Sequence, residues 1–284
     1  MSSVAQPIDS HAHAWQRWPY RPRVPDPASR AAGEALLFEM QRNNVGGAVV
    51  IGAAINSNRR NNNYLLALER LWPGVIFAFP DHDSYWGLAT DASPARSLES
   101  LLAKHPFRGV SLYLADDEDG SRLLDRERSA AFRLASRRRL LLSLGMRPQH
   151  VPAVIRLAEK HPGLRVVCHH FAGITSRRPA PLRDQFTAVL PLREVPNVYL
   201  KISGFPYLSR EPWDFPYNEQ ADLLQGIYEA FGPDRLCWGS NFPVIDGVIT
   251  YRQSLEIVRR HLSTANSVDR AAILGGTMRT LLSA

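Results

Sequence analysis

The sequence predicts an α/β protein, a (β/α)8 TIM barrel formed by a single domain over residues 1–284. Three observations predict it. Helical stretches repeatedly end at a proline or glycine, and a short β-rich run follows. Eight such runs can be found, and after the first they recur about every 30 residues, the period of a strand–helix unit. Each is short, continuous and apolar, as in parallel strands covered on both faces.

In chain order the candidate strands are 7–10, 47–51, 75–79, 109–114, 140–144, 164–168, 197–201 and 235–238. Pro73-Gly74, Pro106, Pro162-Gly163, Pro196 and Gly232-Pro233 each stand just before a run and close the helix that precedes it. Helical periodicity fills the gaps. Val151, Val154, Ile155 and Ala158 share one helical face, as do Leu224, Ile227, Tyr228 and Phe231, and Leu255, Val258 and Leu262. Strands alternating with helices require right-handed crossovers and a parallel sheet. A doubly wound open sheet is the alternative, but no Gly-x-Gly-x-x-Gly follows any strand. The longest insert, residues 14–30, is rich in proline and aromatics, cannot be regular helix, and is expected to fold over the barrel mouth.

Composition narrows the class. Hydrophobic residues make up 45% and charged residues 21%, close to ordinary globular usage. No run reaches the ~18 apolar residues of a membrane span, and Met1 to Pro7 has neither a basic segment nor an apolar core. Cys168 and Cys237 lie in apolar runs and read as buried free thiols of a reducing compartment, so a cytoplasmic location is expected. The formal charge is +7, but the arginines are dispersed and no nucleic-acid motif is present. The expected partner is a small molecule, not a nucleic acid or a membrane; self-association into a homo-oligomer stays open.

Barrel enzymes carry their chemistry at the C-terminal strand ends. The first strand ends in Asp9-Ser10-His11-Ala12-His13, whose two imidazoles lie at i and i+2 and so face one side. They suit either a shared divalent ion or a common substrate. The sixth ends in Cys168-His169-His170, where alternation predicts that one histidine points inward. The seventh ends in Lys201-Ile202-Ser203-Gly204 and the eighth in Trp238-Gly239-Ser240-Asn241-Phe242-Pro243. Lys201 suits an electrostatic or structural role better than Schiff-base chemistry. His82 reads as a solvated loop histidine, and His105, His150, His161 and His261 as structural. Ser10 and Ser203 lack the Gly-x-Ser-x-Gly elbow of a serine nucleophile.

These strand ends, with Arg147-Pro148 after the fifth strand, resemble the amidohydrolase superfamily. More narrowly, they resemble its amidohydrolase-related (amidohydrolase 2) branch of sugar lactonases and 2-pyrone-4,6-dicarboxylate lactonase, over nearly the whole chain. The resemblance implies a hydrolase that opens a lactone or related cyclic ester by water attack. It implies that His11, His13, His170 and position 241 hold one divalent ion, Zn2+ first among candidates, or act without metal. It places His170, position 241 and Lys201 in catalysis, and makes His169 a neighbour. Trp15, Tyr20, Tyr113, His169, Phe171, Ser203 and Phe242 are the expected substrate contacts; Phe205 and Tyr207 are further candidates for an aromatic lining.

One departure bears on the chemistry. The family carries an aspartate where this chain has Asn241, and an amide cannot take a proton from water. Asn241 is either an Asp-to-Asn change that inactivates the enzyme or a natural shift of mechanism. Asn241 motivates a catalytically silent binding protein as one alternative to a lactonase; a nonoxidative decarboxylase, since related barrels use a similar metal site, and an amide hydrolase are the others. Ser111 and Phe171-Ala172-Gly173-Ile174 also stand where relatives carry basic residues, which makes a doubly charged substrate less expected.

Overall fold

The computed structural model describes residues 5–86 and 93–284; Met1 to Val4, part of the segment read above for a leader, lie outside the described residues. All eight strands form where the sequence places them: β1 (Ile8–Ala12), β2 (Gly47–Ile51), β3 (Ile76–Phe79), β4 (Gly109–Tyr113), β5 (Leu141–Gly145), β6 (Arg165–Cys168), β7 (Val198–Ile202) and β8 (Leu236–Trp238). Every pairing is parallel, in the order β1-β2-β3 and β4-β5-β6-β7-β8.

Two irregular seams join these sheets into a barrel. Between β3 and β4, Ser111 N–H donates to Pro80 O at 2.9 Å and His82 N–H to Ser111 O at 2.8 Å. Between β8 and β1, Asn241 N–H donates to His11 O and His13 N–H to Phe242 O, both at 2.7 Å. The second seam depends on Gly239, where a Cβ would lie 2.7 Å from the His11 Cβ. β8 can approach β1 that closely only without a side chain.

The strand pattern separates two cores. Val49, Ile51, Phe79, Leu141, Val167 and Cys237 point into the barrel. The C-terminal helix Thr277–Ser283 closes the N-terminal end with Met278, Leu281 and Leu282. Between strands and helices lie Val50, Leu142, Val166, Leu200 and the inner faces of the helices Val151–Lys160, Ala221–Phe231 and Tyr251–His261. The predicted helical faces are those that pack. Both cysteines are free and buried. Among the described residues no helix is long and apolar enough to cross a membrane.

The insert over residues 14–30 has no regular helix or strand beyond turns. Its near end is pinned by Trp15, whose indole N–H donates to Ala53 O at 3.0 Å, and by Asn58 Nδ2–H to Arg17 O at 2.7 Å.

Candidate active site

The C-terminal strand ends converge on four histidines around one lysine. β1 does not deliver its pair by simple alternation. Ile8 points into the barrel, whereas Asp9 reaches Tyr251 in the surrounding helix layer, so a regular strand would turn His11 outward as well. The register of β1 against β2 shifts between Asp9 and Ala12, and His11 and His13 both enter the mouth, their Nε2 atoms 3.2 Å apart. Such shifts re-aim side chains beside functional sites. Asp9 stays behind as an anchor: its carboxylate accepts from the His11 and Ser240 N–H groups at 3.0 and 2.9 Å and from the Ser240 and Tyr251 hydroxyls at 2.6 and 2.9 Å.

β6 departs from alternation too, which corrects the expectation of one inward histidine. The strand ends at Cys168, and His170, Phe171 and Ala172 then take left-handed φ values of 46°, 54° and 55°. Three consecutive non-glycine residues in this region carry strain of ~1–3 kcal/mol each. The turn brings both His169 and His170 to the cavity; their ring centroids lie 4.5 and 4.4 Å from that of His11. One nitrogen each from His11, His169 and His170 falls within 4.8 Å of the others. Gly204 allows this, since a Cβ there would stand 2.8 Å from His170 Nδ1.

Lys201 lies beneath the histidines, fully buried. Its ammonium donates to Ser143 Oγ at 2.6 Å and approaches His11 Nδ1 at 3.2 Å. Ser143 Oγ lies 2.7 Å from His169 Nε2, and Ser203 Oγ 2.8 Å from His170 Nδ1. His13 Nδ1–H donates to Ile51 O at 2.9 Å. The buried Nδ1 of His169 has no partner.

Burial governs the charges. It pulls His13 down to about 4 and His11, His169 and His170 well below the usual histidine range, with Lys201 adding repulsion. The four imidazoles are therefore neutral at pH 7. Burial also lowers Lys201 to about 7. Asn241 closes one side, its Nδ2–H donating to Tyr207 OH at 3.0 Å, and the Tyr207 ring stands 5.3 Å from that of His170.

Above the histidines opens a cavity of about 660 Å³ with His13, His169, His170 and Asn241 at its foot and Tyr20, Trp86, Tyr113 and Tyr207 on its walls. Of the expected substrate contacts, Tyr20, Tyr113 and His169 line it. Trp15 does not: it is buried, stacked on His13 with centroids 4.9 Å apart. Phe171 packs on Phe205 at 5.4 Å and Phe242 on Tyr251 at 6.0 Å, so these rings belong to the core. Ser203 and Lys201 do not line it; they contact His170 and His11 from behind. His82 is not solvated; it is buried with Nε2 bonded to Pro94 O at 2.9 Å. Asp246 pairs with Arg30 at 3.0 Å. Sequence reading missed Ser143, Trp86 and three wall arginines, Arg59, Arg177 and Arg178; it singled out Arg147 only for the resemblance, not as a cavity residue. Of the missed residues, Ser143 had a signal, a polar residue inside an apolar strand.

A family model described as Amidohydrolase matches residues 8–283. This chain belongs to the amidohydrolase family. It is 29% identical over 249 residues to L-fucono-1,5-lactonase of Burkholderia ambifaria, covering 84% of this chain and 80% of that protein. An amidohydrolase of Burkholderia multivorans with bound Zn superposes with a TM-score of 0.79 at 20% identity, over 98% of this chain and 99% of that one. A probable 2-pyrone-4,6-dicarboxylic acid hydrolase of Acinetobacter baumannii with bound citric acid does so at 0.76 and 18%, over 99% and 100%. Both establish the barrel fold.

A divalent ion fits the donor set. His11, His169 and His170 offer neutral imidazole nitrogens, and the unpartnered His169 Nδ1 is one of the buried nitrogens available. Ser143 accommodates either state of His169. Its hydroxyl can donate to Nε2, leaving the proton on Nδ1, or accept from Nε2–H, leaving Nδ1 bare for a metal.

Proposed function

We propose that the chain is a lactonase: it opens a cyclic ester by attack of water, with the histidine cluster as its catalytic centre. The convergence of His11, His13, His169 and His170 over buried Lys201, at the foot of an open cavity, carries the reading. The lactonase relative and the Zn-bearing amidohydrolase support the reaction class and the metal site respectively.

The lactone carbonyl oxygen accepts from His169 Nδ1–H, whose proton is held there when Ser143 donates to Nε2. As water adds, the oxygen becomes an oxyanion. A donor aimed at such a charge in a buried site contributes ~10²–10³ in rate. Lys201 supplies positive field from below through Ser143 and His11. Asn241 orients the water but cannot accept its proton. His170 takes the proton on Nε2, with Nδ1–H donating to Ser203, and returns it to the ring oxygen as the C–O bond breaks. Were a divalent ion held by His11, His169 and His170 instead, it would take the nitrogens that otherwise donate to the carbonyl and accept the proton, and would supply Lewis-acid polarisation of the carbonyl in their place.

The test is a panel of aldono- and muconolactones in a pH-stat, with CO2 measured in parallel. The expected result is one proton released per lactone opened and no gas. CO2 release from hydroxybenzoates instead, or lactone binding without proton release, would overturn the assignment.

A further inference from the structure

The walls of the cavity carry four arginines, Arg59, Arg147, Arg177 and Arg178, and one carboxylate, Asp116. Asp116 binds Arg147 at 2.7 Å and Arg178 at 3.0 Å. Arg59 and Arg177 pair with no carboxylate among the described residues. Arg177 is tied to the chemistry through Tyr207: its guanidinium sits 4.6 Å from the centroid of the Tyr207 ring, and that ring borders His170 and Asn241. The stacking fixes the plane of the guanidinium and leaves its N–H groups for a ligand. A second cavity of about 840 Å³ adjoins the first through Tyr20 and Asn56, and Arg17, Arg21 and Arg23 line it without any acidic residue. Seven arginines and one carboxylate thus line the two adjoining cavities, an excess of positive charge that raises the local concentration of anions.

We propose that the substrate is an acidic lactone, one bearing a carboxylate beside the ring, and that Arg177, held on Tyr207, binds that carboxylate. The inference rests on the lactonase reading and deepens it. A neutral sugar lactone would leave the guanidinium without a partner, and a single guanidinium matches a singly charged carboxylate better than a doubly charged phosphate. The sequence made only a doubly charged substrate less expected, because Ser111 and the Phe171-Ala172-Gly173-Ile174 segment lack the usual basic residues. Arg177 reaches the cavity from five residues beyond Ala172, the last of the three left-handed non-glycine residues.

The experiment compares D-glucaro-1,4-lactone with D-glucono-1,4-lactone, which replaces the carboxylate by a hydroxymethyl group, by calorimetry at low and high salt. Because Arg177 is at the exposed rim, the expected preference for the acidic lactone is modest, ~10-fold at low salt, and falls with salt. R177Q should reduce the ratio to near one, and R177K should keep part of it, as a charge without the planar fork. Equal binding, binding of neither, or a preference that survives R177Q overturns the clamp. Proton release from both lactones is followed separately. Selective binding without ring opening would leave the clamp standing and sink the lactonase reading; opening of both without selectivity would do the reverse.

Discussion

Replacing Asn241 by aspartate tests the mechanism at its weakest point. The backbone accepts the change: Asn241 has φ 60°, a left-handed value that aspartate tolerates, and its N–H bond to His11 O does not involve the side chain. The side chains are nearly isosteric. The 3.0 Å contact to Tyr207 reverses direction, with the phenol donating to the new carboxylate in a charge-assisted bond. Arg177 over the Tyr207 ring adds positive field. The carboxylate therefore stays ionised at pH 7 beside the water that Asn241 now orients. A positioned general base contributes ~10²–10⁴-fold, or roughly 3–5 kcal/mol of barrier. His170 supplies part of that already, but burial and nearby cations keep it a weak base. The expected gain in kcat is thus at the lower end, about 100-fold, with KM little changed. The assay is pH-stat kinetics on the lactone that the unaltered chain opens fastest, with metal content measured in both proteins. An unchanged kcat at equal metal content would show that no proton acceptor is missing at position 241. The water-activation scheme drawn here would then fall.

Acid should unfold the chain through its histidines. His13 binds a proton at about 4 in the folded protein against 6.5 for an unperturbed histidine, so as pH falls below 6.5 the unfolded chain takes it up first. Stability is present above 6.5 and lost progressively down to about pH 4, by about 3 kcal/mol for this residue; His11, His169 and His170 act in the same direction. Urea midpoints measured across that range check it, and a flat profile would contradict neutral burial. Ser143→Ala removes the acceptor of the Lys201 ammonium and the partner of His169 Nε2 together. Leaving these buried groups unpaired costs ~1–3 kcal/mol each, so calorimetry should show Tm lower by several degrees or more. Ser143→Thr, which keeps the hydroxyl, should recover much of that loss.

Lys201 gives a fourth expectation. Its amine titrates at about 7, so the positive field under the carbonyl fades as pH rises through neutrality. In the pH profile, kcat should fall on the alkaline side, and Lys201→Met should abolish that limb along with most of the rate. A Met variant that kept the same alkaline limb would assign it to another group.

The sequence alone determined the eight strands, their order and their parallel sense. Apolar runs buried on both faces, bounded by proline and glycine, leave few other ways to satisfy backbone and hydrophobic burial. It also determined which strand ends carry polar chemistry, because His11, His13, Lys201 and Asn241 are costly in a core unless a site uses them. Tertiary structure decided where those side chains point. Alternation turns His11 outward and admits one of His169 and His170; a shift in the β1 register and three left-handed residues after β6 bring in all of them. Neither departure has a marker in the residue types, since no glycine occupies 11, 170, 171 or 172. Trp15, Phe171 and Phe242 show the converse. Aromatic type suggested ligand contacts, but their backbones aim them into the core, while Arg59, Arg147, Arg177 and Arg178 reach the cavity from loops. Local sequence fixes periodicity, but the direction of a side chain at a strand end depends on the neighbouring strands that set its register.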